Sequence, residues 1–506
     1  MQSKFRRKTC VFFALTGLFA FTLLASCNRP AAMEQPSLAL TYEGQVVKVV
    51  SLSDTVTTLL KRYSPSWGLK VGASVEVVAA PTDGDLPRIA DASVWIIRPA
   101  EMPRWAAAGL LTPVPKSYRA SNGSYGWSGL LPLYREKLLR WVGETYALPL
   151  IGDTRVCFYR ADLLANPAHQ KAYREKYRRD LGPPRTWDEF AQIAEYYYAN
   201  KTPGKAQPSL PALPSAAEDL DALFEMVAAP HVRPESYREE EKRPSDEELF
   251  SHHFDLKTGE PRIEQPGFLH ALRLLQRLQR FRPGGTSATA AEAFADGHAV
   301  LCLAEASWIA RFRKQLKPDA LGICEPPGSD RWFRFGNGEE IPAPPEGNHI
   351  PYQGSHGWIA VVPRSAAHPD AAFALCAQLS DPGASNQIVF DPQWGGGVYR
   401  QDHLGATQNW FSFELDESHT RLLRTVIQQS LSRPGLANPV VRLRIPDQHL
   451  YQQALVEQVR GALTQGTDAQ EALRLVAGKW KVLGASKDTK KRIDEYRISL
   501  GLSALP

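Results

Sequence analysis

From Val46 onward, short apolar clusters alternate with amphipathic stretches. Val46-Val47-Lys48-Val49-Val50 predicts a strand, and a helical pattern continues from Ser51-Leu52-Ser53-Asp54 through Leu59, Leu60 and Tyr63. Val75–Val78 predicts a second strand and Ala92–Ile97 a third, followed by a helix over Pro103–Ala108. Strands alternating with helices argue for an α/β protein built on a parallel sheet. Gly143–Leu150 leads into Asp153–Arg160, whose nearly unbroken apolar run is expected of a strand covered on both faces. Thr186-Trp187-Asp188-Glu189 predicts a capping box that opens a helix through Tyr198. Helical spacing returns at Phe268–Phe281. Ala299–Leu303 predicts a buried strand leading to Trp308, and Pro326–Gly354 a long loop. Gly357–Val362 predicts a strand and Pro369–Leu379 a helix. The last stretch is mainly helical, with a second capping box at Thr467-Asp468-Ala469-Gln470, and no internal repeat is present.

The amino-terminal pattern differs. An apolar run from Val11 to Leu24 follows Lys4, Arg6, Arg7 and Lys8. It is shorter than the roughly 20 residues a spanning helix needs, and it fits the apolar region of a secretory signal. It ends in Leu24-Ala25-Ser26-Cys27, which resembles a bacterial lipobox, with Cys27 as the expected lipidation site. On that reading residues 1–26 are removed and 27–45 tether the protein to a membrane as an extracytoplasmic lipoprotein, periplasmic or at the cell surface. Loss of the four basic residues takes the formal charge from +5 to +1, which leaves no electrostatic case for nucleic-acid binding. The length after the leader makes two domains the prior. Cys157, Cys302, Cys324 and Cys376 are widely spaced without a CxxC, and the sequence does not pair them.

Sequence signatures of catalysis are missing: no HExxH, no GxSxG, no P-loop and no GxGxxG. Gly395-Gly396-Gly397 reads as a turn, and Arg238–Arg243 as a solvated surface run. Adjacent His252 and His253, on an extended segment, would point to opposite sides, so no metal site is expected there. Aromatic residues do cluster near predicted strand ends and loops: Trp105, Trp308, Tyr352, Trp358, Trp394 and Tyr399. Such rings suit sugars, whose CH faces pack on them while carboxylates or arginines bond the hydroxyls.

Several segments, in order, resemble the extracellular solute-binding proteins of ABC importers, the family that contains the maltose-binding protein. They are Ala90–Trp95 with Trp105–Val114, and Tyr146–Leu150 through Phe158–Leu164 followed by Pro183–Phe190. Phe294–Val300 with Trp308, Gly357–Val361 with His368–Ala372, and Glu471–Trp480 with Tyr496–Leu502 complete the series. Departures occur at His298, Val300 and Arg160-Ala161-Asp162, and the regions 201–260 and 326–350 match least.

The resemblance implies a periplasmic-binding-protein type II fold: two α/β lobes joined by a hinge around an interlobe cleft. Lobe 1 would hold 46–148 and 319–395, and lobe 2 would hold 149–318 and 396–506. The implied function is capture of a small polar ligand, a carbohydrate by class, and delivery to an ABC permease on hinge closure, with no enzyme activity, cofactor or metal. Ligand contacts are expected from Asp153, Thr154, Trp308, Gly357, Trp358, Tyr399 and Arg400, with Asp54 and Trp105 as further candidates. Two alternatives stay open. One is a sensor that presents its solute to a membrane receptor. The other is a secreted glycan hydrolase, which would need paired carboxylates such as Asp153 with Asp54 or Glu305.

Overall fold

The computed structural model describes residues 41–505 except 81–91, 121–122, 201–209, 213–216, 235–244, 282–288, 392–396, 406, 411, 413–414, 433–438 and 486–487. The leader, Cys27, most of the expected tether, the charge run 238–243 and Trp394 lie outside the described residues. No helix among the described residues is long and apolar enough to cross a membrane.

Nine strands in two sheets frame the molecule. They are β1 (Val46–Ser51), β2 (Ser74–Ala79), β3 (Val94–Ile97), β4 (Ala147–Ile151), β5 (Arg155–Arg160), β6 (Leu210–Ala212), β7 (Ala299–Glu305), β8 (Leu321–Cys324) and β9 (Trp358–Val361). The first sheet has the order β2-β1-β3-β9-β4. β1 pairs in parallel with β2 and β3, as the alternating pattern predicts. β9 runs antiparallel to both β3 and β4, so the sheet is mixed, not parallel throughout. The reason is the route of the chain. β3 and β4 end at the cleft described below, whereas β9 begins there, after a long excursion through the second sheet.

The second sheet has the order β8-β5-β7-β6. β8 pairs with β5 from Leu321↔Arg160 to Cys324↔Cys157, so 321–324 belongs with the second sheet and not with the segment 46–148. The return to the first sheet comes only at β9. Residues after 396 also depart from the expected division. Leu131 N–H donates to Tyr399 C=O at 2.9 Å and Leu130 bridges Arg400, which ties this stretch to the first sheet's side.

Local chemistry accounts for the elements. The helix α1 (Asp54–Tyr63) starts at Ser53, whose hydroxyl accepts from Val56 N–H. It buries Val56, Leu59 and Leu60 on one face and carries Lys61 and Arg62 in its last turn, complementing the helix dipole. In the helix Trp187–Ala199, Thr186 caps Glu189 N–H at 3.2 Å. The Glu189 carboxylate turns instead to Arg185 N–H, Arg179 and Arg185, so only half of the expected capping box forms. At the helix Ala469–Ala485 the cap is Asp468, one residue later than the expected Thr467.

β5 shows how the cores divide. Val156 and Phe158 face one core with Phe294 and Phe312, while Cys157 faces a second core with Trp187, Phe190 and Leu272. This two-sided burial explains its unbroken apolar run. Cys157, Cys302, Cys324 and Cys376 are free thiols.

Candidate binding cleft

Between the two sheets lies a cleft of about 850 Å³, a volume within the range of small-molecule sites. Its walls come from element ends, where the chain leaves regular structure and side chains can converge. The first wall is the start of α1 (Ser53, Thr55, Val56, Leu59) with Arg98, which directly follows β3. The second is the segment after β7: Glu305, Ser307, Trp308, Ala310, Arg311 and Lys314. The floor is the crossover, with Ile151, Gly152, His356, Trp358 and Gly397.

At the floor, backbones touch. Gly152 N–H donates to Gly397 C=O at 2.8 Å, and a Cβ on Gly152 would lie 2.3 Å from Val398 C=O. Only glycine permits that approach. Asp153 fastens the segment that leads into β9. Its carboxylate accepts from Ser355 N–H at 2.8 Å, Ser355 Oγ at 3.2 Å and His356 N–H at 3.1 Å, and its own N–H donates to Tyr134 Oη. Thr154 Oγ1 accepts from Val398 N–H at 3.2 Å. Three chain segments are thus clasped at the place where they pass from one sheet to the other.

The walls are strongly basic and aromatic. The Arg98 guanidinium lies 3.8 Å from the Trp358 ring centroid and donates to His356 C=O. Arg311 lies 5.1 Å from the Trp308 ring centroid. Arg155, at the start of β5, donates to Glu305 Oε1 at 3.1 Å and to a His356 ring nitrogen at 2.5 Å. Burial, and then the Arg155, Arg98 and Arg442 guanidiniums, hold His356 well below the ordinary imidazole range. The ring is therefore neutral at pH 7 and can accept from Arg155. The Glu305 carboxyl is pushed up to about 7, first by burial and then by the Asp153 carboxylate, against the pull of Arg155.

Of the sequence-predicted contacts, Trp308 and Trp358 line the cleft, and Gly357 lies between two lining residues. The others are placed differently. Trp105 is 1% exposed and packs edge-on against Trp95, because the helix Met102–Ala107 turns that face inward. Tyr399 is buried against Tyr134 and His403. Arg400 is fully buried and donates to the carbonyls of Ser380, Tyr125 and Gly126. Asp54 is exposed in the first turn of α1, directly after the cap Ser53, and is not among the residues lining the cleft. Asp153 and Thr154 are buried clasps. Among the described residues no pair of carboxylates faces the cleft: Glu305 lines it and is engaged by Arg155, whereas Asp153 is held beneath the floor by Ser355 and His356, and Asp54 is not among the lining residues.

The reading missed Arg98, His356, Arg311 and Lys314. A usable signal was present, since each sits within a few residues of a strand end or a lining tryptophan. Charged residues at such positions read as ordinary surface until the walls are brought together.

His252 and His253 also depart from expectation. The segment is not extended, and both Nε2 atoms face the buried Glu225 carboxylate, at 2.5 Å and 3.4 Å. Desolvation lowers His252 to about 4, so this is a buried carboxylate met by a neutral imidazole. It lies in the helical part of the second lobe, away from the cleft lining.

A model of bacterial extracellular solute-binding proteins matches residues 73–390, well over half of the chain. No protein of curated function matches it. Among solved structures, the chain is similar to an ABC transporter solute-binding protein from Agrobacterium radiobacter in complex with ribitol. That match has 15% identity and a TM-score of 0.62, over 87% of this chain and 99% of that one. A maltose-bound protein of T. maritima gives 17% identity and a TM-score of 0.60, over 87% and 99%. A solute-binding protein from Agrobacterium vitis with bound D-mannitol gives 17% and 0.57, again over 87% and 99%. Together with the two sheets and the clasped crossover, these likenesses establish the periplasmic-binding-protein type II fold, two α/β lobes around a cleft. By that match and that architecture, the chain belongs to the family of bacterial extracellular solute-binding proteins.

Proposed function

We propose that this protein captures a carbohydrate in the interlobe cleft and hands it to an ABC-type permease after the lobes close on it. The observation that carries the reading is the pair Trp308, on one wall, and Trp358, at the floor, of a cleft of about 850 Å³ formed at strand ends. Ring faces of this kind match the CH faces of a sugar, and the polar groups around them set its orientation. The three crossing segments, at 151–154, 355–357 and 397–398, form the hinge, so closure is a rotation about the clasp and not a refolding of either lobe. The ribitol, maltose and D-mannitol bound by similar proteins support the ligand class. Attachment to a membrane through lipidated Cys27 belongs to the same proposal.

The test is titration of the purified chain with mono- and oligosaccharides, polyols, sugar acids and sugar phosphates, followed by tryptophan fluorescence and calorimetry. Saturable binding of at least one of these, lost in Trp308→Ala while that variant still unfolds cooperatively in urea, is the expected result; because Trp308 also stacks on Phe312, a modest fall in its urea midpoint is expected too. No binding across all four classes would overturn the assignment.

A further inference from the structure

The hydrogen-bonding sense of the cleft is one-sided. Arg98, Arg311 and Lys314 are donors without acceptor capacity. The one carboxylate among the lining residues, Glu305, is engaged by Arg155. Of the three lining hydroxyls, Ser53 already accepts from Val56 N–H, which leaves Thr55 and Ser307 to accept from a ligand. The neutral His356 ring has a nitrogen accepting from Arg155. A neutral sugar presents hydroxyls that must donate as well as accept, and these walls give its protons few acceptors. They are suited to a ligand whose recognised group is rich in acceptors and carries negative charge.

The cations are also divided between the two walls. Arg98 stands on the first, after β3. Arg311 and Lys314 stand on the second, three residues apart and so on one face of the helix Ile309–Gln315. Arg311 forms a long, half-exposed ion pair with Glu292, which lies outside the cleft lining, at 3.8 Å, and such a pair is weak enough to yield to a ligand anion. Like charges on facing walls repel across an empty cleft and are drawn together by an anion between them. An acidic group on the ligand would therefore do two things at once: anchor it and favour the closed lobes.

Building on the reading of the cleft as a carbohydrate site, we infer that its solute is an acidic carbohydrate. A carboxylate or phosphate of the sugar is held between Arg98 on one wall and Arg311 with Lys314 on the other, and its ring lies against Trp308 or Trp358.

Matched pairs test this on the purified chain: glucuronate against glucose, galacturonate against galactose, and glucose 6-phosphate against glucose. Inorganic phosphate and acetate serve as bare anions. The acidic member of at least one pair should bind about 10-fold tighter or more, with an affinity that falls as salt is raised. Arg311→Gln and Lys314→Gln should each weaken that acidic ligand by about 5- to 10-fold. Both sites are exposed, so the urea midpoint should not move. If the uronates bind and glucose 6-phosphate does not, the group is a carboxylate; the reverse identifies a phosphate. Neutral sugars binding as tightly as their acidic partners would overturn the inference and leave the carbohydrate reading standing. The inference also fails if acid affinity is unchanged in both variants. Bare phosphate or acetate matching the sugar acids would overturn the carbohydrate half of both readings.

Discussion

Asp153 distinguishes a hinge built into the fold from a contact made only by the ligand. Its carboxylate is 3% exposed in residue terms and accepts three hydrogen bonds, two of them from the backbone N–H groups of Ser355 and His356. Asp153→Ala strands two buried backbone donors and one hydroxyl. At about 1–3 kcal/mol for each unsatisfied buried group, and allowing for the relieved burial of a charge and some entry of water, the expected loss is roughly 3–4 kcal/mol. Asp153→Asn keeps an acceptor oxygen in place and should cost about 1–2 kcal/mol. Heat is the wrong probe. A chain of this length has an unfolding entropy near 1 kcal/mol per kelvin, so the alanine variant would shift Tm by only about 3–4 °C. Equilibrium urea unfolding, followed by tryptophan fluorescence and by far-UV circular dichroism, reads the loss directly when the two probes coincide. If Asp153→Ala unfolds within 1 kcal/mol of the parent while its affinity for a bound sugar falls more than 10-fold, the clasp argument is refuted. The side chain would then face the ligand.

Arg444 gives a second stability test. It is 1% exposed and donates to the carbonyls of Pro99, Lys137, Leu138 and Arg140, joining the carboxy-terminal part of the chain to the first lobe. Arg444→Met should cost about 2–4 kcal/mol in urea unfolding, and Arg444→Lys, with three donors, should recover part of it. The third expectation concerns pH. Glu305, raised to about 7, is faced by Arg155 from β5, Asp153 from the crossover, Arg98 from the end of β3 and the neutral His356. A raised carboxyl is protonated below its pKa, so the cleft gains one negative charge as pH rises through about 7. Binding of a uronate, which stays ionised throughout, should therefore weaken by about 3- to 10-fold between pH 6 and 8, a Coulomb effect on the order of 1 kcal/mol. Glu305→Gln should flatten that profile; an identical pH dependence in the variant would rule Glu305 out as its source.

The family and most of the elements were legible in the order of apolar patterns. Val46–Ser51, Arg155–Arg160 and Ala299–Glu305 are strands because β-branched and apolar residues meet burial there on one or both faces. The Trp187–Ala199 helix begins at Thr186 because a side-chain oxygen can meet an open backbone donor three residues on. These are local facts, written in adjacent residues. The two tryptophans of the cleft were also legible, since each stands at the edge of an apolar strand.

What the tertiary structure decided is which side chains share a space. Asp153, Tyr399 and Arg400 follow strand or turn signals just as Trp358 does, yet the three pack inward as clasps and ties. Arg98 and Lys314 lie 216 positions apart in the chain and become facing walls only because the strands before them, in different sheets, both end at the cleft. A sequence records charge and apolarity residue by residue. Whether a cation meets water, a carbonyl or another cation depends on long-range pairing, and β9 reaches the first sheet only after the chain has built the second.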